Sequence, residues 1–135
     1  MAETYELRPI GFVRSSLRRL EDAPMQGDEG APDAWIEIEP DAVAALHGIA
    51  SGDHLFVVTW LHAARRDVLQ VHPRDDLNLP LTGVFATRSP DRPNPLGLHR
   101  VRVVTIAGDR LQVAPLEAID GTPVVDIKPV LGPGA

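Results

Sequence analysis

"HRVRVVTIAGDRLQVAPL", residues 99–116, decides the fold. Arg100 and Arg102 alternate with Val101 and Val103, the period of a strand with one buried face. Gly108 and Asp109 supply a turn, and Leu111 and Val113 resume the alternation on the way back. The stretch reads as a β-hairpin.

Outward from it, the same grammar repeats. "IDGTPVVDIKPV" (119–130) carries a second turn at Asp120-Gly121 ahead of another strand. "DHLFVVTWLH" (53–62) is almost continuously apolar, as in a strand covered on both faces. "RRDVLQVHP" (65–73) and "LTGVFATR" (81–88) are further strands, "YELRPIGFVRSS" (5–16) a first one, and "WIEIEP" (35–40) a half-exposed one stopped by Pro40. One helix is predicted, over "DAVAALHGI" (41–49), with Asp41 as N-cap and Gly48 as its stop. "EDAPMQGDEGAPDA" (21–34) is an acidic, Pro- and Gly-rich surface loop, of a length that is usually mobile or functional. Short strands at this spacing predict a mainly β protein: a small antiparallel β-barrel with one short helix and no Rossmann sheet.

Composition narrows the chemistry. A chain of 135 residues is expected to form one domain over 1–135. It has no cysteine, so disulfides, thiolate metal sites and cysteine nucleophiles are excluded. No apolar run is long enough to span a membrane, and "MAETYELRPIG" has no basic or apolar leader, which predicts a cytoplasmic protein. The net charge of −6 is uneven: residues 1–61 hold four arginines against eleven acids, and residues 62–102 seven arginines against four. An acidic chain lacks the footprint of a general nucleic-acid binder and leaves only a local basic patch.

That patch holds "GVFATRSPDRPNPLGLHRV" (83–101), with three prolines in six residues. Proline fixes its own φ and keeps the preceding residue extended, so the loop is ordered before any ligand arrives. Arg88 and Arg92 are then planar forks suited to a carboxylate or phosphate. A rigid turn whose arginines bond neighbouring carbonyls or Asp91 has the same sequence. In "IDGTPVVDIKP", Asp120 is placed to take hydroxyls or an ammonium. Asp126 and Lys128 point to one face, as a surface ion pair also would. His54 and His62 are eight residues apart on one strand, too far to share an ion, and no histidine–carboxylate motif is present; no metal site is expected. Glycine fingerprints for dinucleotides or phosphates and a G-x-S-x-G elbow are absent as well.

Together, "GVFATRSPDRPNPLGLHRV" and "IDGTPVVDIKP", with "PIGFVRSS" and "DHLFVVTWLH", resemble the signatures of the TrmO/TsaA (YaeB-like) family. The resemblance extends over roughly residues 7–131. It implies a small β-barrel that binds S-adenosyl-L-methionine, works as a homodimer and N6-methylates threonylcarbamoyladenosine beside the anticodon of tRNA. A small-molecule acceptor, or a non-catalytic S-adenosylmethionine-binding regulatory module, are the other functions the same resemblance allows. Carried over by motif, the cofactor-binding residues are Pro24, Met25, Gln26, His62, Ala63, Arg88, Leu98, Ala118, Ile119, Asp120 and Gly121. Within that set Arg88 is expected to hold the cofactor carboxylate and Asp120 its ammonium or ribose. Leu98 with Ala118 and Ile119 would wall the adenine, and Gln26 would bond across the entrance. His62 and Asp126 are the candidate bases. Many relatives have arginine where this chain has Met25. Arg65, Arg66, Arg74, Arg100 and Arg102 are the cations available to a tRNA backbone.

Overall fold

The structure is a computed structural model that describes residues 3–17 and 33–132. Six strands close into an antiparallel barrel: β1 (Gly11–Arg14), β2 (Ala34–Ile38), β3 (His54–Trp60), β6 (Leu96–Ala107), β7 (Arg110–Ala114) and β8 (Pro123–Pro129). Their order around the barrel is β1-β2-β7-β6-β3-β8, and β8 returns to β1. Between β3 and β6 the chain leaves the barrel to form a separate two-stranded ribbon of β4 (Gln70–Val71) and β5 (Thr82–Gly83).

Alternation builds the interior. Val101 and Val103 of β6, Leu111 and Val113 of β7, Leu55 and Val57 of β3, Ile36 of β2, Val13 of β1 and Val124 of β8 are buried in one cluster. Each such side chain contributes about 1.5–3 kcal/mol by leaving water. The hairpin forms as expected, with Gly108 at φ +64° opening its turn. Closure abolishes free sheet edges, which a six-stranded open sheet would have to protect by other means.

Four local expectations change. The first strand, expected over 5–16, forms only at Gly11–Arg14. The helix over 41–49 is a 3₁₀ helix, Pro40–Leu46, capped at Glu39 rather than Asp41. Pro40 ends the preceding strand and also starts this helix, because its fixed φ and missing N–H suit a first helical position. Ala42, Val43, Leu46 and Ile49 from this segment pack against the core cluster. The strand expected over 81–88 shrinks to Thr82–Gly83 and is followed by a 3₁₀ turn, Val84–Ala86. Only Gln70–Val71 of 65–73 is extended into a ladder. Both segments have strand-forming side chains but lie outside the closed barrel, where only the ribbon partner is available to them.

Strand register sorts the loops between the two ends of the barrel. Trp60 pairs with Leu96, Thr59 with Val124, Phe12 with Pro123, and Arg14 with Trp35. The C-terminal ends of β1 and β3 and the N-terminal ends of β2, β6 and β8 therefore share one rim. The segments after Arg14, after Trp60, before Leu96 and before Pro123 all open there. The 3₁₀ helix and the Gly108 turn belong to the other end.

Candidate functional site

The rim gathers the segments singled out from sequence. His62 and Ala63 follow β3 directly, Arg88 lies in the proline loop before β6, and Ala118–Gly121 leads into β8. Pro24, Met25 and Gln26 lie outside the described residues.

Two loops are laced together across this rim. Leu61 N–H donates to the Pro95 carbonyl at 2.8 Å, and Arg92 N–H to that of Arg65 at 3.0 Å. The Arg65 N–H donates to Asp91 Oδ1 at 2.8 Å. The Arg66 guanidinium donates from Nε to the Pro93 carbonyl at 2.8 Å and from Nη2 to Asn94 Oδ1 at 3.0 Å. Its carbon also lies 5.1 Å from the centre of the Trp60 ring, within cation–π range. Arg92 reaches back under its own loop to the carbonyls of Val84 and, at 3.3 Å, of Thr87. For Arg92 the rigid-turn reading therefore holds: this fork organises backbone carbonyls. Arg65 is engaged with Asp67 through both Nε and Nη2, at 3.1 and 3.0 Å. The same hydrogen bond lowers the Asp67 pKa and raises that of Arg65.

Arg88 is different. It is exposed, and its guanidinium makes one long contact, from Nη2 to the Leu98 carbonyl at 3.3 Å. Leu98 is on the outer face of β6, 44 % exposed. It pairs with Val58, which pairs on its other side with Asp126. A bulge between Val58 and Thr59 shifts the β3–β8 register, so Asp126 faces outward while Val124 faces the core. Leu98 and Asp126 thus share an outer face two strands apart, about 10 Å at the usual strand spacing. Asp126 forms the surface pair foreseen for it, with Oδ2 at 3.3 Å from Lys128 Nζ.

Asp120 is held to the end of β1. Its backbone N–H donates to the Leu17 carbonyl at 2.6 Å, and its Oδ1 accepts from the Ser15 N–H at 3.0 Å. Gly121, at φ +83°, donates to the Val13 carbonyl at 2.7 Å. Thr122, buried, closes the turn onto the Ile119 carbonyl through its hydroxyl at 2.7 Å. Asp120 also borders an open concavity of about 650 Å³ lined by Trp35, Gln112, Arg14 and Ser15, among others. Arg88 and His62 do not line this concavity. The structure therefore places Arg88 with Leu98 on one sector of the rim and Asp120 with β1 on another. β6 and β1 lie three strands apart in the barrel order, and Ala118, which joins the core cluster, and Ile119 are both buried.

One group of residues was not foreseen. Inside the barrel, beneath the rim, His99 Nε2 is 2.7 Å from Thr59 Oγ1 and its Nδ1 is 2.5 Å from Glu117 Oε1. His99 is 4 % exposed and Thr59 not at all. The three residues are far apart in sequence, and only the inward parity of His99 on the 99–116 hairpin hints at burial. Among the described residues no group of three His, Asp or Glu side chains is arranged to hold a metal ion, and no helix is long and apolar enough to cross a membrane.

The fold and rim define a class: a closed antiparallel β-barrel whose polar loops converge on one mouth, in place of the strand-end crevice of an α/β sheet. Residues 12–132 match the tRNA-methyltransferase O N-terminal domain, and the chain belongs to that family. It is similar to a crystal structure of TrmO from Pseudomonas aeruginosa, with a TM-score of 0.76 and 31 % identity over 97 % of this chain and 56 % of that one. The chain thus spans little more than half the length of that protein. It is 45 % identical over 123 residues to a "probable S-adenosyl-L-methionine-binding protein" of Methanothermobacter thermautotrophicus, covering 91 % of this chain and 88 % of the relative. An "S-adenosyl-L-methionine-binding protein" of Archaeoglobus fulgidus is 42 % identical over 90 % of this chain and 86 % of its own length.

Proposed function

We propose that the rim binds S-adenosyl-L-methionine and that the chain, as one cytoplasmic domain working in a homodimer, N6-methylates threonylcarbamoyladenosine in tRNA. One observation carries the cofactor reading. Among the described arginines of the two laced loops, Arg65, Arg66 and Arg92 are engaged with neighbouring groups, whereas Arg88 presents an exposed guanidinium beside Leu98. A planar cation next to an apolar side chain suits a ligand that joins a carboxylate to an aromatic base. Relatives named for binding S-adenosyl-L-methionine support the same reading.

The residue types suit the cofactor, with its partners drawn from both sectors of the rim. Arg88 would hold its carboxylate, Asp120 its ammonium or ribose hydroxyls, and Leu98 its adenine, with the buried Ala118 and Ile119 offering backbone rather than side-chain surface. His62 and Ala63 close the rim beside them, and Gly121 shapes the turn that presents Asp120. When bound, the cofactor's sulfonium supplies an electrophilic methyl group. The chain's own task is to hold that group and the acceptor nitrogen in line at near-attack distance, from which most of the acceleration of such a displacement derives. His62, exposed on the rim, is the better placed of the two candidate bases; Asp126 is already paired with Lys128. The homodimer reading is supported by exposed apolar side chains on and near β6, with Leu96 41 %, Leu98 44 % and Phe85 86 % exposed.

A second acceptor class follows from the arginines. With Arg65 and Arg66 engaged locally and a net charge of −6, few cations remain for phosphate contacts, which favours a small-molecule acceptor on the same rim. A regulatory module that binds the cofactor without catalysis is the third. Incubation with methyl-labelled S-adenosyl-L-methionine and total tRNA from a strain lacking the gene separates them. Label in one modified nucleoside is the expected result. Label confined to small molecules moves the acceptor to the second class, and no transfer leaves a binding module.

A further inference from the structure

The β6–β7 ladder ends at the pair Arg102 and Ala114, immediately before Pro115. The chain nevertheless keeps alongside β6 for three more residues on each side. His99 and Glu117 meet in the register that the lost backbone pairing would have given. A side-chain bond replaces the ladder at the point where the chain turns into Ala118–Gly121. His99 in turn is held by Thr59 of β3. Gly97 leaves the required space: a Cβ there would lie 2.6 Å from His99 Nε2 and closer still to Thr59 Oγ1.

A hydroxyl, an imidazole and a carboxylate in this order also describe a hydrolytic triad. Burial excludes that use here, since Thr59 Oγ1 is sealed inside the barrel and no substrate can reach it. What the trio touches is structural: Leu98, whose carbonyl meets Arg88, precedes His99, and Ala118 follows Glu117. The Glu117 carboxylate accepts from Nδ1–H, and in a neutral ring Nε2 is left to accept from the Thr59 hydroxyl.

We propose that Thr59, His99 and Glu117 act as a buried positioning relay that ties the start of the Ala118–Gly121 segment to β6 beside Leu98, while Asp120 and Gly121 tie its end to β1. As a claim about affinity it rests on the cofactor reading above; as a claim about order at the rim it does not. The test pairs Glu117→Ala with Glu117→Gln, whose amide oxygen still accepts from Nδ1–H. Hydrogen exchange of the backbone amides and titration calorimetry with S-adenosyl-L-methionine are measured on both variants. In Glu117→Ala, exchange at residues 118–121 should accelerate about ten-fold or more, with β1 and β2 unchanged, as expected for losing a bond to a charged group. Cofactor affinity should fall by a similar factor, and Glu117→Gln should restore most of both. Unchanged exchange at 118–121 in folded Glu117→Ala overturns the relay, as does uniform acceleration over the whole barrel. If Glu117→Ala does not fold, Thr59→Val, which keeps the volume and deletes the hydroxyl, decides by the same exchange criterion. Wild-type protein that takes up no cofactor defeats the binding proposal instead, and the exchange result still judges the relay.

Discussion

Gly97→Ala should destabilise the protein far more than a glycine-to-alanine change in a strand ordinarily would. On backbone propensity alone alanine gains slightly, because it loses less conformational freedom on folding. Here the added methyl falls 2.6 Å from His99 Nε2 and nearer to Thr59 Oγ1, in a place where neither neighbour can swing into solvent. Overpacking a filled interior costs about 1–3 kcal/mol. If the methyl also separates Thr59 from His99, a buried polar group loses its partner, at about 1–3 kcal/mol more. The combined loss of about 2–6 kcal/mol is a large share of the 5–15 kcal/mol typical of a domain. Urea unfolding followed by tryptophan fluorescence measures it. With a denaturant slope of about 2 kcal/mol per molar, the midpoint should fall by about 1–3 M. Thr59→Ala removes the closer of the two obstacles, so the double variant should lose less than the two single losses added together. A midpoint shift near zero in Gly97→Ala, or strict additivity with Thr59→Ala, would refute the claim that these three side chains share one tightly filled space.

Other consequences are quicker to check. Arg88→Ala should weaken S-adenosyl-L-methionine binding by about ten-fold or more in calorimetry while leaving the melting temperature nearly unchanged, since its guanidinium contacts only one carbonyl. Arg92→Ala should do the reverse and destabilise the loop, because it removes the Nη2 that donates to both the Val84 and Thr87 carbonyls; limited proteolysis would report faster cleavage within residues 84–95. For Asp67, whose folded pKa lies below its unfolded value, the contribution to stability is present above the unfolded pKa and is lost as pH falls through the folded one. The difference in melting temperature between wild type and Asp67→Asn should therefore be small at neutral pH, as for any exposed pair, and vanish in acid.

Much of the barrel is legible because alternation is a local signal. The hairpin of β6 and β7 and the turn at Asp120-Gly121 follow from neighbouring residues, whereas β3, expected to be covered on both faces, buries only one. Misreadings occur where context decides. Residues 81–88 have the side chains of a strand, yet only Thr82 and Gly83 find a partner, and Val84–Ala86 coils into a 3₁₀ turn. At the site, the proline loop announces stiffness but not which arginine is spent on it. Arg88 and Arg92 are indistinguishable in "TRSPDRPNP"; the difference is that Arg92 can reach carbonyls beneath its own loop and Arg88 cannot. Thr59, His99 and Glu117 leave no joint trace at all, since their contact depends on how β3, β6 and the segment after β7 come together.

The proline loop thus owes its stiffness and its positive charge to one arrangement. Prolines remove N–H donors and leave carbonyls such as that of Pro93 without strand partners. Carbonyls in such a loop need donors, and guanidinium groups supply several at once in fixed geometry. Arg66 and Arg92 satisfy that need from opposite sides, and in doing so hold the loop at the mouth of the barrel. An arginine placed on a loop already braced in this way loses little freedom when it engages an anion. The two kinds of arginine differ in consequence: replacing a bracing one should lower stability first and affinity through it, whereas replacing Arg88 should lower affinity alone. An Arg66→Ala variant with unaltered stability and abolished ligand binding would reverse the assignment and make the brace, not Arg88, the anion site.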